Sequence, residues 1–294
     1  MSYRLTSVYC VFAGSSENKA PFILNARDIA MKLILKVIGG LLLLLVLLIG
    51  GVALTLEARL PESVFPVQAL SLEPVAEPAS ILIFGGRKNT GLMVAELYRE
   101  RGDEVTAFVR SGSDAAALEG IGATLIRGDA MDIDAVREAF AAGEFDVAIT
   151  TMGCLSCDPP VDYQANANVF TVATEVGVKR VLLVTTIGAG DSYDHTPWLT
   201  RQALARVIPL KTQAEDALRT SGLDFTIIRP GGLLSGAESG QGVLSEDVQT
   251  FGYIFREDLA RLIVAAADDS ASVGKTLAAI DKSRRFQWDQ GDAQ

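Results

Sequence analysis

Seven consecutive residues, Gly85-Gly86-Arg87-Lys88-Asn89-Thr90-Gly91, combine three glycines with two cations and two small polar side chains. Before them runs the short apolar stretch Ile81-Leu82-Ile83-Phe84, and after them Leu92 to Arg101 shows helical periodicity. Gly102-Asp103 breaks that helix, and Glu104 to Val109 reads as a second strand. A glycine turn between a buried strand and a helix aims backbone N–H groups and a helix N-terminus at one point, which suits a pyrophosphate. The spacing of Gly85 and Gly91 matches the outer glycines of a Gly-x-x-Gly-x-x-Gly turn, with Lys88 at the middle position. The second strand runs into Arg110, where a site for NAD carries an acid for the ribose 2′-hydroxyl. An Arg there suits a 2′-phosphate, and Arg87 and Lys88 add positive charge. The expected cofactor is therefore NADP, with NADPH preferred over NADH.

The elements that must hold this turn follow in alternation. Helices are expected near 115–119, 133–141, 165–175, 210–220 and 256–267, and strands near 123–126, 145–150, 180–185, 225–228 and 276–280. Such alternation specifies an α/β domain: a Rossmann-like, doubly wound, mostly parallel sheet with helices on both faces. Ligands bind such sheets beyond the carboxyl ends of the strands. Those ends carry small or polar residues here: Arg110, Gly128-Asp129, Thr150 to Gly153, Thr185-Thr186 and Pro230-Gly231-Gly232. Small residues let a flat cofactor approach the backbone. Hydroxyls such as those of Thr151 and Thr185 can bond ribose and amide groups.

Several stretches resemble the atypical short-chain dehydrogenase/reductases, the NAD(P)-binding, NmrA-like group that includes flavin and biliverdin-IXβ reductases. They are Ile81–Val109, Arg127-Gly128-Asp129-Ala130, Gly177-Val178-Lys179-Arg180-Val181, Thr185 to Gly190, and Lys211 onward through Glu215, Leu218 and Ser221 to Gly232. The resemblance covers roughly residues 80 to 281, and its Lys-to-Pro-Gly-Gly stretch is the most specific part. It implies that Gly85, Gly86, Arg87, Lys88, Asn89, Thr90, Gly91 and Arg110 hold NADP(H), with Asp129 near the adenine. Thr151, Met152 and Gly153 would lie under the nicotinamide ribose, and Thr186 near the reacting face. Lys211 would bond the ribose hydroxyls, and Pro230 and Gly231 the nicotinamide amide. The classical members carry a Tyr four residues before this Lys as proton donor, and here that position is Val207. Tyr163 and Tyr193 lie in loops after strands, and Tyr193 is the preferred substitute because its loop follows Thr186. The expected catalytic set is Thr186, Lys211 and Tyr193, acting on a small-molecule substrate that is flat or lipophilic: a carbonyl, a quinone or a flavin-like acceptor. A non-catalytic NAD(P)-binding sensor or assembly factor for a membrane complex is the competing reading, favoured by the missing Tyr.

Composition bounds the rest. The chain has 294 residues, 49% of them hydrophobic, and a net charge of −10. That balance argues against a nucleic-acid partner. Val37 to Leu56 is an uncharged apolar run, and 20 residues span roughly 30 Å as a helix, the thickness of a bilayer core. It reads as a single membrane anchor over 31–57, which makes the chain single-pass. Arg27, Lys32 and Lys36 precede it and Arg59 alone follows, so charge bias puts the N-terminus in the cytoplasm. NADPH is a cytosolic metabolite, which argues the other way, and the side stays open. Residues 1–30 form an extension without pattern, and Met31-Lys32-Leu33 resembles a true start. Pro61, Pro66, Pro74 and Pro78 mark 58–80 as an extended tether, 81–281 is the NAD(P)-binding domain, and 282–294 is a polar tail. The short sequence after Gly232 leaves little for a lid.

Three cysteines are too few for a disulfide framework. Cys154 and Cys157 read as loop thiols, or as a local disulfide in an oxidising space, with a redox dithiol beside the nicotinamide as the alternative. No metal site is expected, because only His195 and Cys10 remain as further ligands.

Overall fold

A computed structural model describes residues 26–178, 180–286 and 288. All but the last five residues of the expected 1–30 extension, together with Cys10, Lys179 and most of the polar tail, lie outside the described residues. The chain falls into two compact units, Met1–Val52 and Ala53–Gln294. The described part of the first is helical and belongs to α1, Ala26–Thr55. The stretch Ala30–Thr55 within α1 is long and apolar enough to cross a membrane. Its leucines are exposed all round, as the successive Leu41, Leu42, Leu43 and Leu44 show at 61%, 57%, 61% and 61%. A helix apolar on every side is suited to lipid rather than to one packed face.

The second unit is built on β1 (Ser80–Phe84), α2 (Asn89–Arg101), β2 (Glu104–Val109), α3 (Ala116–Gly120), β3 (Thr124–Arg127), α4 (Ile133–Ala141), β4 (Val147–Thr150), α5 (Gln164–Val176) and β5 (Arg180–Val184). It continues with α6 (Trp198–Ala203), α7 (Ile208–Arg219), β6 (Asp224–Pro230), β7 (Gly232–Leu234), β8 (Gly242–Ser245), β9 (Tyr253–Phe255), α8 (Arg256–Asp268) and β10 (Lys275–Asp281). The main sheet has eight strands in the order β3-β2-β1-β4-β5-β6-β10-β8. Every pairing is parallel except that of β10 with β8, which is antiparallel. This is the expected doubly wound sheet, and its order reverses between β1 and β4.

The central strands are apolar because both their faces are covered. Ile81 and Ile83 point to one core with α2 and α8, while Leu82 and Phe84 point to another with α4, α5 and α7. All four are at most 1% exposed, and each contributes about 1.5–3 kcal/mol by leaving water. The helix α2 stops at Gly102, whose φ of +95° closes the αL cap onto the carbonyls of Arg99 and Tyr98.

Two regions depart from expectation. The stretch after Gly232 holds β7 and β9, which pair in a second small sheet, and β8, which edges the main one. These strands are short and lie among glycines and acids, so no alternation announces them. The segment expected to be a tether is laid along the domain. Arg59 exchanges backbone hydrogen bonds with Phe251 at 2.7 and 3.0 Å, and the Phe65 N–H bonds Leu244 O at 2.7 Å. Phe65, Val67 and Leu70 pack on the core that α8 covers. Prolines made this segment read as extended, but the pairing is with strands nearly two hundred residues on, which no local pattern carries.

Candidate functional site

The crevice where strand order reverses lies between β1 and β4, so the turns that leave these strands should meet there. They do. The Thr151 N–H bonds Phe84 O at 2.9 Å, and Thr151 Oγ1 donates to Gly85 O at 3.2 Å. Gly85 has φ +85°, and a Cβ on it would stand 2.7 Å from Thr151 Oγ1. A Cβ on Gly91 would strike Gly85 O and stand 2.6 Å from Thr151 Oγ1. Both glycines therefore let the helix start press against the two strand ends. Gly86 is buried beneath the turn, where a Cβ would come 3.1 Å from Ile83 Cγ2.

Lys88 does not disturb this packing. It caps α2 in an extended conformation, with φ −156° and ψ 169°, and its side chain is exposed. Asn89 takes the left-handed turn, with φ +53°. No side chain caps α2, and its first turn holds no acid, so the positive end of the helix is left uncompensated. Thr90 is 7% exposed and its Oγ1 is buried without a partner. Among the described residues Arg87, Lys88 and Arg110 have no carboxylate partner, in a chain of net charge −10. An uncapped helix start, an orphan hydroxyl and three unpaired cations fit a polyanionic cofactor. Arg110 follows β2 directly and is exposed, and Asp129 is exposed with its carboxylate accepting the Met131 N–H at 3.0 Å.

The second cluster forms beyond β4. Lys211 rises from α7 and its Nζ lies 3.2 Å from Asp162 Oδ1. Gly153 makes room, since a Cβ there would stand 2.9 Å from Lys211 Nζ. Asp162 is fully buried, and its other oxygen accepts the Cys154 N–H at 3.0 Å. Cys154 and Cys157 are joined as a disulfide, and Arg206 donates to Cys157 O at 2.7 Å. The local-disulfide reading of the pair is thus the one the structure contains. Met152 packs on the core beside this loop. Nothing in the local pattern points to Asp162, because its partner Lys211 is remote in the chain.

The remaining expected residues are placed differently. Thr185 Oγ1 donates to Glu215 Oε1 at 2.7 Å, so this hydroxyl is turned into the protein rather than toward a cofactor. Glu215 is fully buried and also holds Arg229 through bonds of 3.0 and 2.6 Å, and Arg219 at 3.0 Å. Arg229 reaches Asp191 as well. Burial opposes ionisation of both Arg229 and Asp191. The pairing outweighs it, raising the guanidinium and holding the Asp191 carboxyl below its ordinary value. This network ties β5, β6 and α7 to the loop after Ala189. The sequence signal for it was a charge, Arg229, at the end of an apolar strand.

Thr186 Oγ1 donates to Ile187 O at 3.1 Å. The Tyr193 ring is 44% exposed and lies under the Arg201 guanidinium at 4.9 Å. No hydrogen bond or ion pair among the described residues joins Thr186 or Tyr193 to Lys211. Tyr163 packs partly buried against the α5 core. The Pro230 carbonyl accepts the Ile187 N–H at 3.0 Å, and the Gly231 N–H is spent on Ala279 O at 2.9 Å. Val207, where the classical members carry their Tyr, is 3% exposed and occupies the N-cap position of α7.

This sheet, with an anion-ready turn at its switch point, defines an NAD(P)H-binding domain. The chain belongs to the NAD(P)H-binding family, whose model matches residues 85–270. It is similar to the solved structure of ChuY, an anaerobillin reductase from Escherichia coli O157:H7, at 33% identity and TM-score 0.65. That likeness covers 70% of this chain and 98% of the other. It is 27% identical to YhfK of Bacillus subtilis, an uncharacterized sugar epimerase, over 72% of this chain and 94% of that one. It is 22% identical to the photosystem II assembly factor Ycf39 of Synechocystis, over 67% of this chain and 60% of that protein.

Proposed function

We propose that the chain is a membrane-anchored, NADPH-dependent reductase that passes hydride to a small flat or lipophilic acceptor such as a carbonyl, a quinone or a flavin-like ring. The observation that carries the reading is the uncapped, acid-free start of α2 beside Arg87, Lys88 and Arg110, three cations without carboxylate partners among the described residues. Arg110 supports NADPH over NADH, since it stands where a 2′-phosphate would need a cation. Similarity to an anaerobillin reductase over nearly that protein's whole length supports reduction as the activity. Helix α1 supports the anchor.

NAD(P)H supplies the hydride when bound, and the protein supplies binding and orientation. The turn and the helix start would hold the pyrophosphate. Lys211, fixed by the buried Asp162 carboxylate and admitted by Gly153, is the group that would position the ribose hydroxyls. Val207 offers no proton, so a proton for the acceptor comes from Thr186, from Tyr193 or from solvent. Reduction of quinones or flavins by the full chain with NADPH tests the assignment, and Lys211→Ala should lower turnover at least about tenfold.

A second reading is a dinucleotide-binding sensor or assembly factor without turnover. The apolar Val207 in place of the Tyr favours it, as does similarity to an assembly factor. NADPH binding without oxidation across an acceptor panel would select it.

A further inference from the structure

We infer that the segment Tyr193–Ala203, loop and α6 together, lies in the lipid–water interface with Trp198 as its anchor. The inference rests on the reading of α1 as a membrane span. The apolar run ends at Leu56, and Glu57 and Arg59 are the first charges after it. Chain connectivity therefore puts the bilayer surface at these residues. They are clamped within the second unit. The Arg59 guanidinium donates to the His195 carbonyl, the Tyr253 hydroxyl donates to Leu56 O at 2.9 Å, and Arg59 pairs with Phe251 through the backbone. A cavity of about 350 Å³ runs along this seam, between Thr55–Arg59 and Asp194–Pro197. Desolvation in the seam lowers the Arg59 pKa, with the nearby charge of Asp247 opposing it. Pro197, on the wall of that cavity, leads directly into α6.

That helix opens with Trp198, which is 62% exposed, and it buries none of its residues. Leu60 and Val64 on the adjoining strap are 50% and 51% exposed. The Arg201 guanidinium, from α6, stands over the Tyr193 ring. Tryptophan and tyrosine with arginine beside them make up the belt that flanks a membrane span. Charge is not the driving force, because a chain of net charge −10 is repelled by anionic headgroups. Burial of the indole into the headgroup and acyl boundary is. The segment joins β5 to α7, between Thr186 and Lys211, so an acceptor dissolved in the bilayer would reach the cofactor side without crossing water.

The test uses the full chain in phosphatidylcholine vesicles. The chain has two tryptophans, and Trp288→Phe leaves Trp198 as the single reporter. Lipids brominated near the headgroup end of the acyl chain should quench Trp198 at least about twofold, and more than lipids brominated near the terminal methyl, as expected for an interfacial ring. Aqueous iodide should quench little. Flotation and NADPH titration of the same sample report separately on the anchor and on the cofactor site. A protein that floats with the vesicles, binds NADPH and shows iodide quenching without bromine quenching overturns the inference and leaves the reductase reading intact. A protein that does not float overturns the inference through the anchor on which it rests.

Discussion

The β1–β4 crevice and the region around β6, β8 and β10 are held together by different means. At the crevice, backbones press together: Gly85, Gly91 and Thr151 meet because no Cβ intervenes. Around β6, a buried ionic network is the fastening, with Glu215 between Arg229, Arg219 and Thr185, and Asp191 reaching in from the loop. A backbone cradle leaves charges free for a cofactor. An ionic network consumes its own charges and fixes the loop after β5, where an acceptor would enter. The first arrangement suits binding, and the second fixes the shape of a loop.

Arg229 is the pivot of the ionic network. Replacing it with Met leaves the buried Glu215 with the Thr185 hydroxyl and, as its one remaining cation among the described residues, the more exposed Arg219, and breaking a buried pair costs about 3–5 kcal/mol. Denaturant unfolding should register that loss, while the folded fraction still binds NADPH. If Arg229→Met is as stable as the parent, the network has no structural role.

Gly91→Ala acts on the other region. The new Cβ overlaps Gly85 O and Thr151 Oγ1, so the turn must open, and overpacking of this kind costs about 1–3 kcal/mol. NADPH binding should fall at least about tenfold, the equivalent of 1.4 kcal/mol, with the thermal midpoint moved only modestly. Unchanged affinity would mean that the turn does not touch the cofactor.

The docked strap offers a third cut. Removing residues 57–79 uncovers the Phe65, Val67 and Leu70 contacts and the backbone of β8. Three partly buried apolar side chains at about 1–2 kcal/mol each should lower the midpoint by roughly 10 °C in calorimetry. A fragment beginning at Ser80 that melts with the longer chain would return the strap to the status of a tether.

The smallest effect is in pH. Pairing with Arg229 depresses the Asp191 carboxyl, so its contribution is present above the ordinary carboxylate value and is lost as pH falls through the depressed one. Amide exchange in residues 188–196 should quicken below about pH 4, while the 85–91 turn keeps its protection. Equal responses in both would show that Asp191 does not hold the loop.

The same contrast between local and remote contacts decides what was legible in the sequence. The β1–α2–β2 unit could be read because each step is local: an apolar run, a glycine turn, a periodic helix. Arg110 could be placed because it ends a strand. Asp162 could not, since its meaning depends on Lys211 arriving from another helix. The Glu215 partner of Thr185 could not either, because a hydroxyl at a strand end looks the same whether it turns to a ligand or to a buried carboxylate. Strand β8 escaped because an antiparallel edge of four residues is too short to alternate visibly.

Fluorescence titration of the full chain in detergent with NADPH and NADH asks whether the start of α2 and Arg110 bind the nucleotide. Saturable binding with NADPH favoured about tenfold is expected, with loss of that preference in Arg110→Ala, because one charge-assisted contact worth about 1.5 kcal/mol is removed. Binding of neither nucleotide would contradict this assignment of the site.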